Sequence, residues 1–189
     1  MSEKLNEVMK VIKERRSTRK YSKKAINEED LNTIISAGLM APSAHNNKGW
    51  HFTLVSNKEL LEKMNSETKE IAKTCGDDLY ERWGNKEEFD IFYHAPTVLI
   101  LSGDDKAYNS YIDCAAATEN MLLAAESIGV GTCWIGVIEL LFREKTKEYK
   151  ELLNLPEGYT PLFAMTIGYK EGNSAKPPKL DMSVVQYIR

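Results

Sequence analysis

The sequence predicts a single folded domain that contains both α-helices and β-strands. The chain has 189 residues, which fits one domain at roughly 150 residues per domain. Hydrophobic residues make up 42% and charged residues 28%, as is ordinary for a folded soluble protein. Amphipathic segments with helical spacing alternate with short apolar runs that are typical of buried strands. We therefore expect one domain that spans residues 1–189.

Apolar residues at helical spacing, together with capping residues, predict five helices. In the first of them this spacing is formed by Leu5, Val8, Met9 and Ile12. The five are residues 3–14, a helix that begins after Asn27 and ends at Pro42, residues 58–73 after Asn57, residues 107–128, and residues 140–152. The fourth helix is rich in alanine. Since such small side chains let neighbouring elements approach closely, we expect it to be buried on several sides.

Short apolar runs predict the strands. They lie at residues 50–56, 97–102 and 161–168, with a further short apolar segment at 132–136. Residues 76–94 show no clear period, and we expect a loop with a short helix there. The last twenty residues are first rich in lysine and proline and then apolar. This pattern predicts a C-terminal arm over residues 170–189 that packs on a partner subunit.

The composition argues against membrane, secreted and metal-dependent classes of protein. No run approaches 18 apolar residues, and the N-terminal segment lacks the apolar stretch of a signal peptide. The three cysteines, Cys75, Cys114 and Cys133, lack CxxC spacing, which disfavours a metal site and favours a reducing compartment. We therefore expect a cytoplasmic protein whose function needs no metal ion and no membrane.

Positive charge is concentrated in residues 10–24. This block carries a local charge of +7, whereas the rest of the chain sums to −10 and the whole chain to −3. A block of this size fits one concentrated anion, such as a phosphate monoester. The alternative is a solvated helix end whose cations face the negative end of the helix dipole. A nucleic-acid partner is disfavoured, because duplex binding needs basic charge spread over a face and the chain is acidic overall.

Three separated segments have the chemistry of a cofactor site. Residues 15–19 place arginines at both ends with hydroxyls between them, so that planar guanidiniums can approach one phosphate from several directions. Residues 41–50 form a turn-rich segment with a hydroxyl, two carboxamides and an aromatic edge, which suits the polar rim of a planar heterocycle. Residues 128–136 contain glycines that let the backbone approach a ligand closely.

Each segment also has a simpler structural explanation. Gly129 can be the C-cap of the long helix, and residues 41–50 can be only a connection. The Gly-Val-Gly run lacks the third spaced glycine of a dinucleotide fingerprint, which weakens a Rossmann interpretation. Cys133 beside Trp134 is expected to be a packed core thiol rather than a redox group. Only the three segments together favour a cofactor site.

The chain resembles the FMN-dependent nitroreductase-like flavoproteins over about residues 10–185. The resemblance is carried, in order, by RRSTRKYS, APSAHNNKGWHFTLV, LAAESIGVGTCWIG and the GYK…KPPKL tail. It implies an α+β fold, a three-layer α-β-α sandwich with a mixed, mainly antiparallel sheet and a swapped terminal arm. It also implies a homodimer that binds one FMN in each of two sites at the subunit interface.

By this resemblance, specific residues match the family's contacts to FMN. Those expected at the phosphate and ribityl chain are Arg15, Arg16, Ser17 and Arg19, with Lys179 as a further phosphate contact and Lys176 as a weaker one. Those expected in the loop that touches FMN, partly from the other subunit, are Pro42, Ser43, Asn46 and Lys48. Those expected beside the isoalloxazine, mostly through backbone, are Trp134, Ile135 and Gly136.

Two positions depart from the family pattern. Lys48-Gly49-Trp50 stands where Gln-Pro-Trp is common. A lysine near the N1/O2 edge would stabilise the anionic reduced flavin and raise its reduction potential; the alternative is that Lys48 points into solvent. Lys179 stands where arginine is commoner, which weakens the expected phosphate contact because lysine lacks the bidentate fork.

The resemblance implies an oxidoreductase that moves electrons from NAD(P)H through FMN to a nitroaromatic, quinone or similar acceptor by a ping-pong mechanism. The alternative is an FMN-binding protein or sensor whose redox partner is not NAD(P)H, for example a protein electron carrier. No acid–base pair is required, so no conventional catalytic residue is nominated; His45 is either a proton donor or a surface residue. The variable residues 65–93 are expected to shape the acceptor pocket, with Tyr80, Trp83, Phe89 and Phe92.

Overall fold

Four antiparallel strands form the central sheet, in the order β1-β2-β4-β3. A computed structural model of the protein describes residues 6–172 and 176–189. The strands are β1 (Trp50–Val55), β2 (Thr97–Asp104), β3 (Val130–Ile135) and β4 (Tyr159–Tyr169). The helices are α1 (Glu7–Glu14), α2 (Glu28–Leu39), α3 (Lys58–Ala72), α4 (Asp78–Asn85), α5 (Ser110–Ser127), α6 (Glu139–Glu144) and α7 (Thr146–Leu152). Two short 3₁₀ turns lie at Ala44–Asn46 and Met182–Val184.

The predicted N-caps are confirmed. The Asn27 side chain accepts a hydrogen bond from the backbone N–H of Asp30 at 2.7 Å, and Asn57 accepts one from Leu60 at 2.9 Å. Such bonds satisfy amide groups that a helix start otherwise leaves unpaired. The first helix begins at Glu7 rather than at residue 3, because Asn6 has an extended backbone and caps it; residues 3–5 lie outside the described residues.

The core lies where α5 packs on the sheet and on α2. Helix α5 contacts β1, β2 and β3, whereas α6 and α7 contact β4. The predicted burial of α5 is confirmed, since Cys114, Ala117 and Ala125 are fully buried. The α2–α5 contact is close, because a Cβ at Gly38 would lie only 2.8 Å from the Met121 side chain. The predicted α+β sandwich with helices around a central sheet is confirmed.

Two details of the prediction are wrong. The helix expected over 140–152 is broken at Lys145 into α6 and α7, where the Lys145 ammonium lies 3.0 Å from Glu67 of α3. Strand β4 begins before Pro161, which it accommodates opposite Ser102 at a register shift. The sheet was expected to be mixed and mainly antiparallel; its four strands pair antiparallel, and the isolated Ser17–Thr132 bridge is parallel.

Two apolar surfaces at the ends of the chain are exposed. Helix α1 buries none of its residues, and its Val8 side chain is 63% exposed. Every described residue from 176 to 189 is exposed as well. The large apolar side chains among them are Leu180, Met182, Val184, Val185, Tyr187 and Ile188. Packing of this arm on a partner stays a prediction.

None of the described helices is long and apolar enough to cross a lipid bilayer.

Candidate functional site

The basic segment of residues 15–19 lies beside the edge strand β3. Ser17 forms a parallel bridge with Thr132, and the backbone N–H of Thr18 donates to the Thr132 carbonyl at 2.8 Å. A Cβ at Gly131 would lie 2.7 Å from the Thr18 hydroxyl. Gly131, which was predicted to leave room for a ligand, therefore leaves room for Thr18. The missing side chain lets the basic segment pack against β3.

The predicted cations of this segment gather around Cys133. The thiol is only 3% exposed, and burial raises its pKa, opposed by the positive charges of Arg19 and Arg15 and by a hydrogen bond with the Ser17 hydroxyl. The buried position confirms Cys133 as a core residue. Ser17 is paired with β3 at Thr132, and Arg19 lines the same cavity as Cys133. Binding of one phosphate by Arg15, Ser17 and Arg19 stays a prediction.

Arg16 connects this stretch to the C-terminal segment. Its Nε donates to the backbone carbonyl of Lys176 at 3.3 Å, and its terminal nitrogen donates to the carbonyl of Arg15. Lys179 is exposed and lies three residues further along, within about 11 Å of Lys176 even in a fully extended chain. A phosphate contact by Lys179 stays a prediction.

A cavity of about 220 Å³ opens next to these cations. Its lining residues are Arg19, Tyr80, Trp83, Phe89, Ile91, Tyr93 and Cys133–Val137. A Cβ built at Gly136 would meet no atom within 4 Å, so the cavity is open beside this backbone. Trp134 packs on Phe163 with ring centroids 4.4 Å apart. The predicted Trp134, Ile135 and Gly136 therefore form one wall of the cavity.

Arg19 is held in the cavity wall by Tyr93. The Arg19 Nε donates to the Tyr93 hydroxyl at 3.3 Å, and the guanidinium lies 5.8 Å from the centre of the Tyr93 ring. The hydrogen bond that Arg19 donates to Tyr93 raises the pKa of Arg19, which keeps a positive charge at this position. Tyr93 was missed from the sequence, although it lies within the variable stretch expected to shape the pocket.

Aromatic rings form the opposite wall of the cavity. Tyr80, Trp83, Phe89 and Tyr93 follow one another with centroid separations of 5.5, 5.2 and 5.8 Å. The expectation is wrong for Phe92, which is only 2% exposed and belongs to the hydrophobic core. Left-handed backbone at Tyr93 and His94 ends any regular alternation here, so Tyr93 reaches the cavity in place of Phe92.

The Pro42 loop (residues 42–48) contains the second group of predicted residues. The Ser43 hydroxyl accepts a hydrogen bond from the backbone N–H of Lys48 at 2.9 Å, which closes the loop. His45, Asn46 and Lys48 have left-handed backbone, with φ of 53°, 57° and 50°. The His45 ring lies edge-on to Tyr108 at 5.6 Å. Lys48 is exposed, as its alternative interpretation expects.

The structure does not bring the Pro42 loop to the cavity of the same chain. The loop leads into β1, at one edge of the sheet, whereas the cavity and residues 15–19 lie at β3, the other edge. Three strand spacings separate these edges, or about 14 Å. Within one chain the predicted residues therefore form two groups. One is the β3-edge group, residues 15–19 and 134–136; the other is the Pro42 loop.

The β3-edge group fits part of an FMN molecule. Guanidiniums of residues 15–19 suit a phosphate monoester, the aromatic wall suits a planar ring system, and the open backbone at Gly136 admits close approach. The cavity of about 220 Å³ is smaller than the roughly 300–1,000 Å³ of a typical ligand site. The cavity of one chain is therefore small for a whole FMN molecule.

Comparison with known proteins identifies relatives along most of the chain. The model of the Nitroreductase family matches residues 12–169. A protein of Archaeoglobus fulgidus whose name suggests an NADH dehydrogenase/NAD(P)H nitroreductase is 35% identical over 170 residues, covering 87% of this chain and 86% of the relative. The NADPH-flavin oxidoreductase of Vibrio harveyi is 30% identical, covering 96% of this chain and 73% of the relative.

The crystal structure of a nitroreductase with bound FMN from Bacteroides fragilis has the same fold. It matches with a TM-score of 0.86 and 35% identity, covering 98% of this chain and 100% of that one. The family match includes the basic segment, the Pro42 loop and the cavity wall at Gly136. The chain therefore belongs to the Nitroreductase family.

Proposed function

We propose that the protein is an FMN-dependent oxidoreductase that passes electrons from NAD(P)H to a nitroaromatic, quinone or similar acceptor by a ping-pong mechanism. The observation that carries this proposal is the pairing of residues 17–18 with β3, which places Arg19 in the wall of an aromatic cavity that is open at Gly136. The names of the relatives support NAD(P)H as the donor and FMN as the cofactor.

The β3-edge group would hold most of the FMN. Arg15, Arg16, Ser17 and Arg19 would bind the phosphate and ribityl chain, with Lys179 as a further cation. The backbone of residues 134–136 would lie along the isoalloxazine ring. Arg19 is bonded to Tyr93, so its charge is positioned in advance rather than free to move with solvent. A fixed cation favours the anionic form of a nearby ring.

We further propose that the active protein is a homodimer. The Pro42 loop lies about three strand spacings from the β3-edge group, so Pro42, Ser43, Asn46 and Lys48 would reach the FMN held by a second copy. The exposed apolar side chains of α1 and residues 180–188 would be covered in the same assembly. Exposed apolar surface of this kind is typical of an interface.

The chain's own residues position and shield rather than transfer protons. Bound FMN supplies the centre that accepts and returns hydride. The titratable groups among the described residues that line the cavity are phenols, a thiol and a guanidinium. The aromatic wall of Tyr80, Trp83 and Phe89 would stack a planar acceptor and exclude water from it.

An absorption spectrum before and after anaerobic addition of NADH or NADPH tests this function. We expect a yellow protein whose flavin absorption is lost on addition of one or both nucleotides. A yellow protein that is bleached by dithionite alone would replace the proposal with the alternative of an FMN-binding sensor or a partner of a protein electron carrier. A colourless protein that takes up no added FMN would refute both.

We also propose a cytoplasmic location. Cys75, Cys114 and Cys133 are all free thiols, which suits a reducing compartment.

A further inference from the structure

Asp113, in the first turn of α5, is a buried acid that no sequence pattern singled out. The residue is 3% exposed, and its Oδ1 accepts a hydrogen bond from the backbone N–H of Ala44 at 2.9 Å. Its Oδ2 is buried and has no hydrogen-bond partner among the described residues. Burial of a carboxylate oxygen without a hydrogen-bond partner costs free energy of folding. We therefore ask what the bond from Ala44 to Asp113 contributes.

That bond ends on the Pro42 loop, whose backbone is strained. Three non-glycine residues of the loop, His45, Asn46 and Lys48, have left-handed backbone, which L-residues adopt only when the surroundings hold them there. Within the loop, the N–H of Asn46 donates to the Ser43 carbonyl at 3.0 Å. Such internal bonds set the shape of the loop but do not attach it to the fold.

Asp113 provides that attachment. The Ala44–Asp113 bond is the one hydrogen bond, among the residues the structure describes, that joins residues 42–48 to a helix. The exit of the loop packs against the start of the same helix and the turn before it, since a Cβ at Gly49 would lie 3.6 Å from the Asp113 Oδ2 and 2.6 Å from the Cβ of Ala107, which precedes α5. A carboxylate is a stronger acceptor than a neutral group, and the N-terminal turn of α5 favours its negative charge.

We propose that Asp113 is a positioning residue that holds the Pro42 loop in the conformation that binds flavin. This inference rests on the proposed function, because it takes the loop to be a flavin contact. Asp113 touches neither flavin nor acceptor; it acts through the backbone of Ala44. Its hydrogen bond aligns Ser43, Asn46 and Lys48 before the cofactor arrives, so less ordering of the loop is needed on binding.

Asp113→Ala and Asp113→Asn test the proposal with two measurements. The first is the rate at which trypsin cleaves the flavin-free protein after Lys48, followed by mass spectrometry. The second is the affinity for FMN, followed by quenching of flavin fluorescence. We expect Asp113→Ala to raise the cleavage rate and to weaken FMN binding, each about 10–100-fold, from loss of one charged hydrogen bond. Asp113→Asn keeps an acceptor for Ala44 and should stay within about threefold of wild type.

Ser102→Ala is the matched control. Ser102 is fully buried on β2, next to α5, and its hydroxyl has no hydrogen-bond partner in the described structure. Removing that hydroxyl perturbs the same layer of the core without touching the Pro42 loop, so both measurements should be unchanged. If Asp113→Ala does not unfold cooperatively, Gly49→Ala replaces it, because its methyl group would push the loop exit away from Ala107.

Two results would overturn the proposal. If Asp113→Ala had the cleavage rate and the FMN affinity of the wild type, the bond would not hold the Pro42 loop. An Asp113→Asn variant as impaired as Asp113→Ala would assign the effect to negative charge rather than to the bond. A wild-type protein that takes up no FMN would refute the proposed function separately, while the cleavage rates would still support or overturn the role of Asp113 in holding the loop.

Discussion

The two edges of the sheet hold their predicted flavin contacts in different ways. At the β3 edge, residues 15–19 are paired with the strand through backbone hydrogen bonds, and a glycine allows the close approach. At the β1 edge, the Pro42 loop has a left-handed backbone and is joined to α5 by one carboxylate. The first group is therefore paired with the sheet through its backbone, whereas we expect the second to depend on the Asp113 side chain for its position.

This difference predicts the largest effect for Gly131→Ala. Its added Cβ would meet Thr18 at 2.7 Å and push the basic segment off β3. Such overpacking costs about 1–3 kcal/mol, so we expect FMN affinity to fall about 10–100-fold. The melting temperature of the flavin-free protein should fall by about 3–8 °C.

Gly136→Ala is the matched control for that variant. Its Cβ meets no protein atom within 4 Å but enters the cavity. FMN titration should show weaker binding, while thermal unfolding of the flavin-free protein should be unchanged. Equal losses of melting temperature in the two variants would contradict the close contact of the basic segment with β3.

A somewhat smaller effect is expected for Arg19→Met, which keeps an unbranched apolar stem and removes the guanidinium and its charge. Loss of one charge-assisted hydrogen bond should weaken FMN binding about 10–50-fold and reduce its dependence on salt. Lys20→Met is the control, because Lys20 is exposed and lies 3.7 Å from Glu171, a surface pair of little energetic value. Fluorescence titration at two salt concentrations measures both; equal affinities in the two variants would remove Arg19 from the site.

At the β1 edge, Lys48→Gln should lower the reduction potential of bound FMN. If the ammonium of Lys48 faces the N1/O2 edge, its loss destabilises the reduced anionic flavin, and a tenfold change corresponds to about 30 mV for two electrons. Lys58→Gln, at the opposite end of β1 and also exposed, should leave the potential unchanged. Spectroelectrochemical titration measures the reduction potential of both variants. If the potential of Lys48→Gln were not more negative than that of the wild type, Lys48 would face solvent.

The smallest effect is expected outside both edges, at Glu67. Burial raises the pKa of Glu67, but hydrogen bonds from Lys63, Lys145 and Tyr149 outweigh it and hold the pKa at about 2. Because the pKa of Glu67 is lower in the folded than in the unfolded protein, the Glu67 carboxylate stabilises the fold. This stabilisation is fully present above about pH 4.5 and is lost as the pH falls towards 2.

Urea unfolding at pH 7, 5 and 3 measures this contribution. Between pH 5 and pH 3, the wild type should lose about 1–2 kcal/mol more of its free energy of unfolding than Glu67→Gln. At pH 7, FMN affinity of Glu67→Gln should equal that of the wild type. A parallel pH dependence of the two proteins would show that Glu67 is not held as an anion.

Features encoded by neighbouring residues were predicted well. The caps at Asn27 and Asn57 join a side chain to an amide three residues ahead, and Gly129, with φ of 78°, follows α5 as its expected C-terminal glycine. The break at Lys145 was not predicted, because it coincides with contacts to Glu67 on another helix. Helical spacing alone does not contain that information.

The same distinction applies to the site. A shared location of Arg15, Ser17 and Arg19 could be predicted, because all three belong to one short sequence motif. Tyr93 was missed because a turn with left-handed backbone, rather than any periodicity, directs it to the cavity. Asp113 was missed because its partner, Ala44, is 69 residues away. An acid among the apolar and small residues of α5 was the available signal.

The sequence by itself determined the caps, the concentration of positive charge and the motifs that resemble the Nitroreductase family, since each depends on residues close together in the chain. Only the tertiary structure decided that these motifs lie at opposite edges of one sheet. Strand order is set by packing of distant segments around a common core, and it separates the Pro42 loop from the cavity that residues 15–19 border.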